Sequence, residues 1–194
     1  MTEYHGPVLY LVHVTGWEKA IWEGEPPKSS QRQQIQAMKK RIREALHKAA
    51  LFSVPVLVER GWFFSPRELS VMISSVKRKP RIITLDQHLP LSEQLKSAFA
   101  ENEIKPEKIT LLGGFRELCV LSSAQQLRRA FPATPIFVIN GSSTISESPF
   151  SIRNRSKAWR LKDREEMKRD NIQENKKVTI RHFVSGVRYA KKRL

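Results

Sequence analysis

Cys119 is the only cysteine of the chain, and its place in the sequence suits a nucleophile. The apolar segment 108–112 ends in Gly113 and Gly114, and a helix is predicted to open around Cys119. Amide groups at the start of a helix lower the pKa of a nearby thiol and can hold an oxyanion. Cys119 is therefore a candidate catalytic nucleophile.

Two further side chains could assist Cys119. His13 ends an apolar run, and a histidine beside a cysteine can accept its proton and hold it as a thiolate. Arg116, two residues after Gly114, could supply a positive charge. In the alternative interpretation His13 is a satisfied core histidine, Cys119 is a small buried hydrophobe and Arg116 is merely solvated.

The elements that must position these residues alternate between strands and helices. Short apolar runs predict strands at 7–14, 54–60, 81–85, 108–114 and 135–141. Apolar residues at helical spacing, with serine, proline or an acid near the start, predict helices from 29 or 30 to about 52, and at 65–76, 91–102 and 117–131. The first strand is apolar almost throughout, which is typical of a central parallel strand covered on both faces.

This alternation predicts a three-layer α/β/α fold with a mainly parallel sheet, because crossover connections place helices on both faces. We expect one α/β domain over residues 1–148 and a basic C-terminal extension over 149–194, with a helix and a short strand or docking segment in the extension. Ligands of such sheets lie beyond the carboxyl ends of the strands.

The region around Cys119 resembles the isochorismatase-like cysteine hydrolase superfamily, whose members place Gly-x-x-x-x-x-Cys-Val-x-x-(Ser/Thr)-Ala between a strand and a helix. Here Gly113 or Gly114 leads to Cys119-Val120-Leu121-Ser122-Ser123-Ala124, and PIFVINGSST (135–144) is similar to the strand that follows. The resemblance extends over about residues 6–146 and implies the isochorismatase-like fold and a homo-oligomer.

The resemblance also implies a catalytic set, from which this sequence departs. Active members use a cysteine nucleophile, an aspartate base at the end of the first strand and a lysine before the cysteine strand. The aspartate position falls on His13, and no lysine stands at 84–87. We therefore expect a diverged protein without hydrolase activity that acts as a binding or accessory module. The alternative is an active cysteine hydrolase that uses Cys119 with His13 as base.

The residues that the sequence lacks indicate which cofactors and which cellular compartment to expect. No Cys/His set has the spacing of a zinc site, and the metal ligands of nicotinamidase-type members find no match, so we expect neither a metal nor another cofactor. A single cysteine cannot form an intramolecular disulfide, which favours a reducing, cytoplasmic location. No apolar run approaches the ~20 residues that cross a bilayer, so we expect no membrane association.

Positive charge is the one extreme property of the chain. The formal net charge is +16, and residues 151–194 hold fifteen Lys/Arg against five Asp/Glu. Basic and aromatic residues that could contact phosphates and stack on bases are interleaved there: Arg153, Arg155, Lys157, Trp159, Arg160, Lys191, Lys192 and Arg193. The segment predicts a nucleic-acid or acidic protein partner, and the alternative is a solvated extension. The basic run 39–43 could enlarge this surface or be the wet face of its helix.

Overall fold

The computed structural model describes residues 3–16, 29–60, 64–76, 78–86, 89–114, 119–139, 168–169 and 173–175. Its strands are β1 (Tyr4–Val12), β2 (Val56–Arg60), β3 (Ile82–Asp86), β4 (Ile104–Gly113), β5 (Ile136–Ile139) and β6 (Gln173–Asn175). Its helices are α1 (Ser29–Leu51), α2 (Pro66–Ser74), α3 (Leu91–Glu101) and α4 (Leu121–Ala130).

The strands form one parallel sheet in the order β3-β2-β1-β4-β5-β6. The predicted three-layer α/β/α fold is therefore confirmed, and the run that was expected to be a central strand is β1. Residues Val8 to Val12 of β1 are fully buried, as a strand covered on both faces requires.

Side chains alternate along β1 between the two layers of the core. Leu9 and Leu11 pack with the apolar faces of α1 and α2. Val8, Tyr10 and Val12 pack on the other side of the sheet with α3 and α4. This period of two assigns every side chain near the strand ends to one helix layer or the other.

The start of α2 follows the local signals of its sequence. The Ser65 side chain accepts a hydrogen bond from the Glu68 backbone N–H at 3.3 Å, and Pro66 occupies the first helical position. This is the cap, proline and acid that the sequence predicts.

A strand from the C-terminal segment was not predicted in this position. Residues Gln173–Asn175 form β6 and pair with β5 at the edge of the sheet. Three residues of the segment expected to be an extension therefore belong to the sheet of the α/β domain.

Candidate functional site

The candidate site lies at the carboxyl ends of β1 and β4, where the strand order of the sheet reverses. The strands on the two sides of β1 are β2 and β4, so consecutive parts of the chain leave this point toward opposite edges of the sheet. The carboxyl ends of β1 and β4 flank the crevice in which ligands of open α/β sheets bind. His13 directly follows β1. Gly113, the last residue of β4, pairs with Val12, the last residue of β1.

Gly113 permits a close approach of the two strand ends. Its φ angle is +149°, and the Gly114 N–H donates a hydrogen bond to the Val12 carbonyl at 2.9 Å. A Cβ on Gly113 would lie 1.8 Å from the same carbonyl oxygen. Only glycine fits at this position, which explains the first of the two glycines before Cys119.

His13 turns the chain out of β1. Its φ angle is +46°, in the left-handed region where histidine is more common than most residues but still infrequent. The Nε2 atom is buried, and burial lowers the pKa of the ring. His13 is therefore a neutral imidazole at physiological pH, which can accept a proton but does not bring a positive charge to the site.

The turn after His13 is held by the start of α2. The Thr15 hydroxyl accepts a hydrogen bond from the Ser65 N–H at 2.9 Å. The Gly16 N–H donates to the Glu68 carboxylate at 2.8 Å, and the other oxygen of Glu68 lies 2.7 Å from the Lys39 ammonium. These contacts, made by partly buried groups, fix the backbone that carries His13.

Cys119 lies two residues before α4, in a π-helical turn with Val120. Its side chain is half-buried against the apolar layer formed with α3 and α4. Burial and, secondarily, the negative charge of Glu59 raise the pKa of its thiol to about 11. Cys119 occupies the predicted position, but its surroundings favour the thiol over the thiolate.

A buried polar cluster that the sequence did not reveal lies near this cysteine. The Tyr10 hydroxyl and the Ser123 hydroxyl both donate to Oε2 of Glu59, at 3.2 and 3.0 Å. Glu59 is 7% exposed, Ser123 3% and Tyr10 not at all. The only signal in the sequence was Glu59 itself, an acid that follows the three apolar residues at the start of β2. It did not indicate which side chains would bind the carboxylate.

Burial is the main cause that raises the pKa of Glu59, and the hydrogen bonds from Ser123 and Tyr10 partly offset it. The folded state therefore binds this proton more tightly than the unfolded chain. The contribution of Glu59 to stability is greatest below the unfolded pKa and is lost as the pH rises through the folded pKa. Burial, followed by the charge and hydrogen bond of Glu59, also raises the pKa of Tyr10.

We predict that Glu59→Gln removes this pH dependence. The difference in unfolding free energy, variant minus wild type, should increase from pH 4 to pH 8, because only the wild type carries a buried group that loses its proton more readily in the unfolded chain as the pH rises. Urea denaturation across this range measures the difference. An offset independent of pH would contradict the prediction, since the unmatched amide of glutamine costs the same at every pH.

The catalytic roles of Cys119, His13 and Arg116 stay predictions. Within the described ranges, no hydrogen bond to the Cys119 sulfur forms, and the charges that shift its pKa do not include His13. Arg116 lies outside the described residues, and so do the eight basic and aromatic residues predicted to bind nucleic acid or an acidic partner.

The described residues add no metal site, and those at positions 84–86 include no lysine. Positions 84–86 belong to β3, where the backbone of Asp86 is bonded to the Gln94 amide at 2.7 and 2.6 Å. No group of three His, Cys, Asp or Glu side chains in the described part of the chain could hold a metal ion. No helix there is long and apolar enough to cross a membrane.

Comparison with known proteins gives matches only among solved structures. No protein-family model and no curated protein matches the sequence. The chain is similar to the MAR1 ribonuclease of Caenorhabditis elegans, with a TM-score of 0.53 and 16% identity over 98% of this chain and 87% of that one. It is also similar to N-carbamoylsarcosine amidase of Thermoplasma acidophilum, with a TM-score of 0.54 and 12% identity over 89% and 95%.

A third similar structure is a nicotinamidase of Staphylococcus aureus, with a TM-score of 0.50 and 11% identity over 90% of this chain and all of that one. Similarity at these identities establishes the fold and leaves the activity open. Together with the parallel sheet and the reversal of strand order at β1 and β4, it confirms the fold that the resemblance around Cys119 implies. The chain has the isochorismatase-like α/β fold.

Proposed function

We propose that this chain is a diverged isochorismatase-like protein that acts as a binding or accessory module and does not hydrolyse substrates through Cys119. The observation that carries the proposal is the position of Cys119, half-buried against the apolar layer near the carboxylate of Glu59, since burial and this charge raise the pKa of the thiol to about 11. At pH 7 such a cysteine is thiolate in about one molecule in ten thousand. A nucleophile at this position would need the opposite environment.

The groups around the cysteine support the same proposal. A cysteine hydrolase needs a base to take the thiol proton and positive charge or N–H donors to hold the developing anion. Among the described residues, the charge that shifts the pKa of the Cys119 thiol is that of Glu59, which opposes the thiolate; the neutral His13 can accept a proton but brings no positive charge. The fixed turn 13–16 and the glycine at the end of β4 lie at the carboxyl ends of β1 and β4, where open α/β sheets bind their ligands.

The proposal is tested by assaying the purified full chain with amide and vinyl-ether substrates beside its Cys119→Ala variant. We expect the two proteins to give the same background rate. Turnover that Cys119→Ala abolishes would refute the proposal. In that event His13→Ala tests the alternative, in which His13 is the base of an active cysteine hydrolase.

A second function, association with nucleic acid, is supported by the net charge of +16. The similar structure from Caenorhabditis elegans is, by its name, a ribonuclease. The residues proposed to bind lie in the C-terminal segment, from Arg153 to Arg160 and from Lys191 to Arg193. Binding to DNA or RNA that weakens steeply with salt supports this function, and undetectable binding at low ionic strength refutes it.

A further inference from the structure

Helix α1 carries a straight row of exposed hydrogen-bond donors on its outer side. The residues follow one another at helical spacings of four, four, three and four, which places them in one line on the surface. All five are exposed, namely Arg32, Gln36, Lys40, Arg43 and His47. We call this row the α1 stripe, and it extends over about 22 Å at the rise of an α-helix.

The inner side of α1 fixes which side chains can reach a partner. Ile35, Met38, Ile42 and Leu46 are buried against the sheet, so the helix cannot rotate. Lys39 is turned toward α2, where it pairs with Glu68 at 2.7 Å. The basic run 39–43 is thereby divided: Lys39 stabilises the fold, whereas Lys40 and Arg43 lie in the stripe.

The charge of α1 is almost entirely of one sign. The helix holds six Lys/Arg and a single acid, Glu44. That acid lies one helical turn after Lys40, about 40° from it around the helix axis, and offsets part of the charge of that one side chain. Arg32 and Arg43 add two further positive charges, so the stripe keeps a net positive field, which a partner with regularly spaced negative charge would complement.

We infer that the α1 stripe binds the phosphate backbone of nucleic acid without reading its sequence. Arginine, lysine and glutamine side chains are frequent phosphate ligands. A rigid row of this length matches the closely spaced charges of a polynucleotide better than an isolated acidic side chain. This inference rests on the proposed association with nucleic acid, but it assigns the contact to the α/β domain, independently of the C-terminal segment.

The test compares two double variants of the full chain that have the same net charge. Lys40→Gln/Arg43→Gln removes one lysine and one arginine from the stripe. Lys96→Gln/Arg129→Gln removes the same pair from exposed positions on α3 and α4, on the other side of the sheet. Binding to a labelled duplex of about 25 base pairs is measured by fluorescence anisotropy at several salt concentrations.

The stripe variant should lose about 1.8 from the slope of log affinity against log salt, because two phosphate contacts disappear. Raising the salt from about 50 to about 200 mM should therefore weaken binding by the stripe variant about tenfold less than binding by the wild type. The control variant should keep a slope close to that of the wild type. Unchanged circular dichroism spectra verify that both variants are folded.

Equal losses in the two variants would overturn the inference, because binding would then follow net charge and not the stripe. So would a stripe variant that binds the duplex normally but loses binding to anionic phosphatidylserine vesicles. A wild-type chain that binds no nucleic acid refutes the proposed association itself, whereas normal binding by the stripe variant refutes only the assignment to α1.

Discussion

Gly113→Ala is expected to destabilise the domain by about 3 kcal/mol or more, a large part of the roughly 5–15 kcal/mol by which a typical domain is stable. The added Cβ would lie 1.8 Å from the Val12 carbonyl oxygen and 2.7 Å from its carbon. These are backbone atoms in the central strand, so no side-chain rotation relieves the clash. The φ angle of +149° adds strain for any residue with a Cβ.

Gly114→Ala is the matched control, because it adds the same methyl group one residue later. Gly114 is not among the described glycines with positive φ, and its N–H still donates to Val12 in the variant. Urea denaturation followed by circular dichroism compares the two proteins. Equal small losses would show that β1 and β4 can separate at this end, which contradicts the close approach seen here.

The position of Cys119 could be predicted from the sequence, but its electrostatic surroundings could not. The strand, the two glycines and the cysteine lie within a dozen residues, so local patterns specify their order. Glu59 comes from another strand, 49 residues from Tyr10 and 64 from Ser123. Only the pairing register of β1 with β2 and the packing of α4 on the sheet bring these groups together.

The same limit applies to β6 and to the basic residues of α1. Residues Gln173–Asn175 have no apolar pattern, so pairing with β5 determines their structure and composition does not. Lys39 and Lys40 are neighbours in sequence but point about 100° apart on the helix. Which of them pairs with Glu68 depends on where α2 packs, and this contact lies beyond local sequence patterns.

The pH profile of Cys119 alkylation is expected to have its midpoint near pH 11, with about a hundredfold less thiolate at pH 7 than an ordinary cysteine of pKa 9.0. Glu59→Gln should move the midpoint to lower pH, because it removes the negative charge that opposes the thiolate. The midpoint should stay above the ordinary value, since burial is the larger cause of the shift. Iodoacetamide modification at a series of pH values, followed by mass spectrometry, measures it.

Two control variants make the profile decisive for the role of Cys119. Tyr10→Phe removes a hydrogen bond to Glu59 but keeps the carboxylate, so at high pH it should leave the midpoint raised. His13→Ala should also leave it unchanged, because His13 is not among the described groups that shift the thiol. A wild-type midpoint below about 8.5 that rises in His13→Ala would contradict this expectation and would mean that the histidine holds a reactive thiolate. A midpoint that falls in Glu59→Gln alone, and stays above the ordinary value there, would identify the charge of Glu59 as the part of the shift that adds to burial.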